Sequence, residues 1–338
     1  MADQDGQVIE KTDDSIKVLY KDGTETTYSL GKDYGQSAGK TYPYTLVSDH
    51  KVKQRFKAGE VLVYNSTFFT PDPLDPGQVL MKNSVMARTA LVDNIDTLED
   101  GSIISEGIAK KLDTSVTEVK TIEVRFDQYI HNLVKEGEEV DIETILCTIE
   151  DPETAEHQGL SEEVSEALLR LSSMNPRAKV SGVVSRIEAY YRGDTDELSP
   201  PLRKLIRQSD AAMKARAEAA GKPPSTGQVA DESFRIQGRA LPVDTVGIRF
   251  YIDKTAGVAP GDKGVFANQM KTVFSNVMSG QNLTEDGSPI DAIFGNVSVE
   301  DRIVMSVKLI GTTNHLLKAL STHVGQVYRG TSNARRKL

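Results

Sequence analysis

Over the first 70 residues, short apolar runs alternate with polar positions at a period of two. Gln7–Glu10, Ser15–Tyr20, Thr24–Leu30 and Glu60–Tyr64 read as strands, and Asp22-Gly23 supplies a two-residue hairpin turn between two of them. This predicts a small β module over 1–70. Pro71, Pro73, Pro76 and Gly77 then break the pattern, because proline cannot donate to a ladder and glycine reaches positive φ.

From 71 to 150 the β-branched segments Val85–Val92, Ser102–Ser105, Val119–Phe126 and Thr144–Ile149 suit buried barrel strands. Glu106–Leu112 reads as a short helix, and Lys135–Val140 as a turn entering a strand. Residues 151–245 change in kind. Ser161–Leu171 has helical apolar spacing, Lys179–Tyr191 is strand-like, Pro201–Ala220 is a helix rich in Ala, Lys and Arg, and Gly221–Gly227 is a loop. This block predicts an insertion with a protruding helical element. Strands return over 246–325 at Thr245–Ile252, Gly264–Ala267, Thr272–Ser275 and Ile290–Phe294, with a turn at Glu285–Ser288 and a helix across Ile303–Val324. Residues 326–338 form a basic tail. The predicted fold class is mostly β with an α-containing insertion.

Composition narrows the chemistry. Forty basic against 49 acidic residues give a net charge of −9 over 338 residues, so any contact with nucleic acid must be confined to patches. The single cysteine, Cys147, excludes an internal disulfide and is expected to be a buried, inert thiol. The polar start lacks the layout of a signal peptide, and no apolar run approaches a membrane span, so the expectation is a protein of the cytoplasm or of a particle, without a membrane partner. His50, His131, His157, His315 and His323 have no ligand spacing. No Gly-X-Ser-X-Gly elbow and no P-loop occurs, so the chain offers no self-contained catalytic site.

Three groups remain. Lys263 follows the turn-forming Pro260-Gly261-Asp262, and Lys271 lies eight residues on, an even spacing that puts both on one face of a continuous strand. Two cations aimed at one point would stabilise a phosphate; two solvated lysines are the plainer alternative. Glu99-Asp100 could hold hydrated Mg2+ beside a substrate phosphate, or form an ordinary acidic turn. Arg203, Lys204, Arg207, Lys214 and Arg216 line one side of the basic helix, opposite Leu202, Leu205, Ile206 and Met213. This face is either simply solvated or a patch for an acidic partner or nucleic acid.

Taken in order, several segments resemble the β (second-largest) subunit of multisubunit DNA-directed RNA polymerases. They are Tyr28-Ser-Leu-Gly-Lys32, Lys57-Ala-Gly-Glu-Val-Leu62, Leu98-Glu-Asp-Gly-Ser-Ile-Ile-Ser-Glu106, Val180-Ser-Gly-Val-Val184, Pro260-Gly-Asp-Lys263, Asp286-Gly-Ser-Pro-Ile-Asp291 and Asp301-Arg-Ile303. The resemblance covers most of this chain and part of a full β subunit, as in the split polymerases of large bacteriophages. It implies a double-psi β-barrel interrupted by a flap-like domain, with 71–150 and 246–325 as its two parts and 1–70 from the hybrid-binding region. Lys263, Lys271, Asn268 and Arg302 would then lie at substrate or RNA phosphate, and Glu99 and Asp100 near the metal of the entering nucleotide.

The same resemblance implies an incomplete catalyst, a nucleotidyltransferase only in company. Catalytic Mg2+ would be bound mainly by a β′-like partner, since no Asp-X-Asp-Gly-Asp motif occurs here. Further partners would be other split β and β′-like subunits, template DNA, RNA and a promoter-specificity factor at the flap, in host cytoplasm or virion. The family's Lys-Met-Ala-Gly-Arg-His-Gly-Asn-Lys-Gly stands here as Lys263-Gly-Val-Phe-Ala-Asn-Gln-Met-Lys271-Thr, without Arg and His. Two registers fit: Lys271 as the second lysine, or Asn268 as the family Asn with Gln269 in the lysine's place. The departure leaves open a noncatalytic structural or virion protein that retains the barrel.

Overall fold

The computed structural model describes the whole chain except residues 38, 83, 152–173, 231–233, 237, 267–269, 286, 302–304 and 329–338. The expected helix Ser161–Leu171 and most of the basic tail therefore lie outside the described residues. The described fold is mostly β. Its strands are β1 (Gly6–Lys11), β2 (Ser15–Tyr20), β3 (Glu25–Ser29), β4 (Gly31–Ser37), β5 (Lys40–Val47), β6 (Arg55–Phe56), β7 (Tyr64–Asn65), β8 (Phe69–Pro71), β9 (Val79–Met81), β10 (Thr89–Leu91) and β11 (Gly101–Ser105). Helix α1 (Glu106–Leu112) leads to β12 (Thr114–Arg125), β13 (Tyr129–His131), β14 (Glu139–Val140), β15 (Thr148–Glu150) and β16 (Gly182–Arg192). After α2 (Pro200–Ala219) come β17 (Arg235–Ile236), β18 (Arg239–Ala240), β19 (Thr245–Ala256), β20 (Lys263–Phe266), β21 (Met270–Met278) and β22 (Ala292–Phe294), then α3 (Asn296–Asp301) and α4 (Met305–Tyr328).

The chain divides into two compact units, Met1–Asn83 with Ser115–Thr255, and Ser84–Thr114 with Ala256–Leu338. The expected boundaries at 71, 151 and 246 do not coincide with this division. The first unit holds an antiparallel sheet in the order β3-β2-β1-β6 and a larger one in the order β14-β16-β19-β12-β5-β4. Alternation in β2 is complete, burying Ile16, Val18 and Tyr20 with Val8, Phe56 and Leu62. The hairpin β4–β5 had no alternation to announce it, since Gly31-Lys-Asp-Tyr-Gly-Gln-Ser37 is polar. The strand expected at Glu60–Tyr64 shrinks to β7. Val61 donates instead to the Gly77 carbonyl, 2.7 Å away, and Leu62 anchors the segment in the core.

β16 and β19 pair over their length, and their two faces differ. Ile187, Ala189 and Tyr191 pair with Phe250, Ile248 and Val246 on the core face, packed with Leu202, Leu205 and Ile206 of α2. The helix thus does not protrude, because its leucine face needs the sheet to leave water. Polar contacts fix its position: Ala189 N donates to Ser209 Oγ at 2.9 Å, and Tyr191 Oη to Asp210 at 3.1 Å. On the opposite face, Arg186 lies 4.6 Å from the Tyr34 ring and 5.9 Å from that of Tyr251, while Lys32 pairs with Asp253, so β4 curls back over β16 and β19.

Glu188 is buried on this second face. It accepts from Arg216 at 2.7 Å, Tyr190 at 2.9 Å and Tyr251 at 3.1 Å. Truncation leaves two hydroxyls and a guanidinium without their acceptor. Glu188→Ala is expected to destabilise the protein by about 2 kcal/mol, and Glu188→Gln by less because an amide oxygen still accepts. Urea denaturation of both variants measures the difference. Cys147 is buried as expected, and burial pushes its thiol up to about 12. The native protein is expected to resist a thiol reagent at pH 8 and to react only on unfolding, as titration with and without denaturant would show.

Candidate functional site

The second unit carries a sheet in the order β10-β22-β11-β21-β20. It is open among the described residues. Two of its pairings are parallel, β10 with β22 and β11 with β21, and β11 runs antiparallel to β22. The strand β21 lies between the segments that carry the two candidate groups. Val273 is the register partner of Gly101 on one side and of Lys263 on the other. The backbone following Glu99-Asp100 therefore runs two strand spacings, about 10 Å, from that of Lys263.

Each side of this arrangement is set by turn chemistry. Pro260 and Gly261, with φ of 98° at the glycine, form a tight turn in which Asp262 N donates to the Ala259 carbonyl at 3.1 Å. The Asp262 carboxylate accepts from Ala259 N at 2.9 Å, which ties it to its own turn. Gly261 N donates to the Phe274 carbonyl at 2.7 Å, and Phe274 N to the Asp262 carbonyl at 2.8 Å, setting the register of β20 on β21.

That register decides where the lysines point. Lys263 and Val265 stand opposite Val273 and Lys271, so all four share one face, and Lys263, Val265 and Lys271 are exposed. Gly264, Phe266, Met270, Thr272 and Phe274 take the inner face, where Phe266 packs edge-on against Phe294 at 4.5 Å. Phe274 lies where any Cβ on Gly264 would project. The even spacing of eight thus put both lysines on one face, but on the two strands of a hairpin and not on one continuous strand. As diagonal neighbours the two residues are about 7–8 Å apart. At that separation two cations in water repel by about 0.5 kcal/mol, so the juxtaposition costs little.

The acidic turn is held by its backbone. Asn94 caps a short 3-10 turn, accepting from Asp96 N at 2.8 Å, while Asn94 N donates to Thr97 Oγ1 at 2.9 Å. Glu99 adopts a φ of 51°, a left-handed conformation uncommon for its type, and its carbonyl accepts from Ser298. The Asp100 carbonyl accepts from Val273 N at 2.9 Å and Thr272 Oγ1 at 2.7 Å. Both acidic residues are exposed. Gly101 is required: a Cβ would lie 2.7 Å from the Asp96 carbonyl oxygen and 3.0 Å from that of Leu98. Thr272, Ser102 and Ser298 are the residues sequence reasoning missed; isolated hydroxyls carry no local signal, and their partners are remote in the chain.

The other predicted residues fare differently. Asn268 and Arg302 lie outside the described residues. The basic patch on α2 is smaller than expected. Arg203 donates to the Asp196 and Leu198 carbonyls at 3.0 and 3.2 Å, and Arg216 is bound to Glu188, so both serve the fold. Lys204, Arg207 and Lys214 remain exposed. Among the described residues no three His, Cys, Asp or Glu side chains converge on a possible metal position, and no helix is long and apolar enough to cross a membrane. No protein-family model matches the chain, and no curated protein matches its sequence.

Proposed function

We propose that this chain is a β-like fragment of a multisubunit DNA-directed RNA polymerase, forming one wall of an active centre completed by a β′-like chain. The carrying observation is that one strand, β21, is flanked by the backbone of the Glu99-Asp100 turn and by that of Lys263 while itself bearing Lys271. Lys263 and Lys271 attract substrate or RNA phosphate from one exposed face, with Asn268 and Arg302 as further contacts. The carboxylates of Glu99 and Asp100 are hard oxygen donors suited to Mg2+, but two carboxylates alone do not make a cage, so the partner chain supplies most of the coordination. Mg2+, when bound, stabilises the charge that develops at the transferred phosphoryl group.

The finer fold belongs to the same reading. Parallel pairing of remote segments, β10 with β22 and β11 with β21, is the kind of crossing that two interlocked loops of a double-psi barrel require, and supports that architecture for this unit. The β16–α2–β19 segment takes the part of the flap. Its exposed Lys204, Arg207 and Lys214 face template DNA, RNA, or an acidic promoter-specificity factor, in host cytoplasm or virion.

A second reading, a noncatalytic structural or virion protein, is favoured by one observation. Where the family has Gly-Arg-His, this hairpin carries Phe266 in an aromatic contact and two residues beyond it that are not arginine or histidine. Co-expression with candidate partner chains and an RNA-extension assay separates the two. Polymerase function predicts a co-purifying partner that carries an Asp-X-Asp-Gly-Asp motif, and extension that Lys263→Ala lowers by about 10²- to 10³-fold. A particle protein yields neither.

A further inference from the structure

One corner of the second unit holds large apolar side chains in water. Leu91, Val92, Ile95, Leu98 and Val297 are 46–84% exposed, Ile95 the most. The two segments that carry them, 91–98 and 294–298, are tied together by hydrogen bonds. Val92 N donates to the Phe294 carbonyl at 2.8 Å, Thr97 Oγ1 to the Val92 carbonyl at 2.9 Å, and Val297 N to the Asp93 carboxylate at 3.3 Å. Gly295 belongs to the same frame, since a Cβ there would strike the Thr97 carbonyl oxygen. Ile95 opens the 3-10 turn and Leu98 closes it, a spacing of three that puts both on one side of the turn. The frame therefore presents these side chains from fixed backbone, and the area they expose is on the order of several hundred Å2, as large as the main apolar patch of a typical monomer.

Charge along the first of these segments has one sign. Residues 89–109 contain Asp93, Asp96, Glu99, Asp100 and Glu106, and no Lys, Arg or His. Glu300 is paired with Lys308 at 3.3 Å, whereas Asp93, Asp96 and Glu99 form no ion pair among the described residues. The side-chain bonds of Asp93 and Asp96 come from neutral donors, Val297 N and, at 3.4 Å, Asn276 Nδ2. We propose that this corner is the docking surface for a segment of a separate protein that presents apolar anchors flanked by Lys or Arg. Ile95 and Leu98 supply the buried centre, and the carboxylates around them select a basic rim. The same charge disfavours other occupants. It repels the phosphates of nucleic acid and of anionic lipid, and symmetric pairing with a second copy would set carboxylate against carboxylate. The proposal goes beyond the polymerase reading and does not rest on it, since the acids act here as charges and neither Lys263 nor Lys271 is used.

The test selects a displayed library of random 12-residue peptides on the full chain, with counter-selection on the Ile95→Ser/Leu98→Ser variant. The enriched peptide is then labelled and titrated by fluorescence anisotropy, beside a version with its basic residues changed to glutamate and one with its apolar residues changed to serine. Enriched sequences that combine Leu, Ile, Phe or Met with Lys or Arg support the proposal, provided that the serine pair weakens binding at least tenfold and that 0.5 M salt weakens it severalfold. Asp93→Asn/Asp96→Asn, which keeps an amide oxygen as acceptor at both positions, should also weaken it severalfold. Ile95 and Leu98 are exposed, and unchanged thermal unfolding confirms an intact fold; if the serine pair does not fold, the asparagine pair and the salt series decide. Enrichment that survives counter-selection, peptides without basic residues, or equal binding of the glutamate or the serine version overturns the proposal. So does self-association that the serine pair abolishes, which would assign the corner to a second copy.

Discussion

On the proposed polymerase reading, Lys263→Ala is expected to lower RNA extension by a complex with the β′-like partner about 10²- to 10³-fold, the usual cost of removing one group that meets charge developing in a transition state. The backbone that carries the ammonium is fixed: the Pro260-Gly261 turn and its bonds to Phe274 set the register of β20. The loss should fall mainly on kcat, since a contact strengthened in the transition state contributes little to ground-state binding. Lys263→Arg keeps the charge but changes its shape, and should retain part of the activity. Because the side chain is exposed, stability should change by no more than about 0.5 kcal/mol. Single-turnover extension by complexes purified in parallel gives the comparison. Undiminished extension by the alanine variant would overturn the role proposed for Lys263.

Phe250→Ala is expected to destabilise the protein by about 3–5 kcal/mol, enough to unfold much of it at physiological temperature. Phe250 is fully buried at the middle of β19, opposite Ile187, in the cluster that joins β16 and β19 to α2. Alanine there removes a whole ring and leaves a cavity bounded by backbone ladders and a helix that cannot readily collapse. One residue further along, Tyr251 lies on the other face, stacked 4.6 Å from Tyr34 and donating to Glu188. Tyr251→Ala should cost about 1–2 kcal/mol, with loss of one hydrogen bond, the Tyr34 stack and the Arg186 contact. Thermal and urea unfolding of the two variants should separate clearly; equal effects would mean that the two faces of β19 are not differently packed.

The candidate site was partly legible in local chemistry. Pro260-Gly-Asp262 announced the turn that presents Lys263, because proline fixes φ and only glycine takes φ of 98° at little cost. Glu106–Leu112 was read as a short helix and forms α1; the structure adds its cap, the Ser105 hydroxyl accepting from Ile108 N at 3.2 Å. The partnership of Glu99-Asp100 with β21 was not legible locally. It depends on a parallel pairing between remote strands, and on Thr272 and Ser298 bonding to main-chain carbonyls, which no window of sequence contains. The basic helix was overread for a related reason. Arg203 and Arg216 look like their exposed neighbours in a one-dimensional charge pattern, and only packing shows them spent on carbonyls and on Glu188.

Periodicity and turn residues determined what is local here: β1 to β3, the helices α1 and α2, the hairpin turns and the apolar face of α2, each decided by energetics within a few residues. Tertiary structure alone decided the polar hairpin β4–β5, the burial of Glu188, the seating of α2 against β16 and the placement of β21, with Lys271, between the acidic turn and Lys263. Those outcomes come from contacts between segments far apart in the chain. Loop closure makes such contacts entropically unfavourable one at a time, and they persist only because the assembled sheets bury apolar surface together.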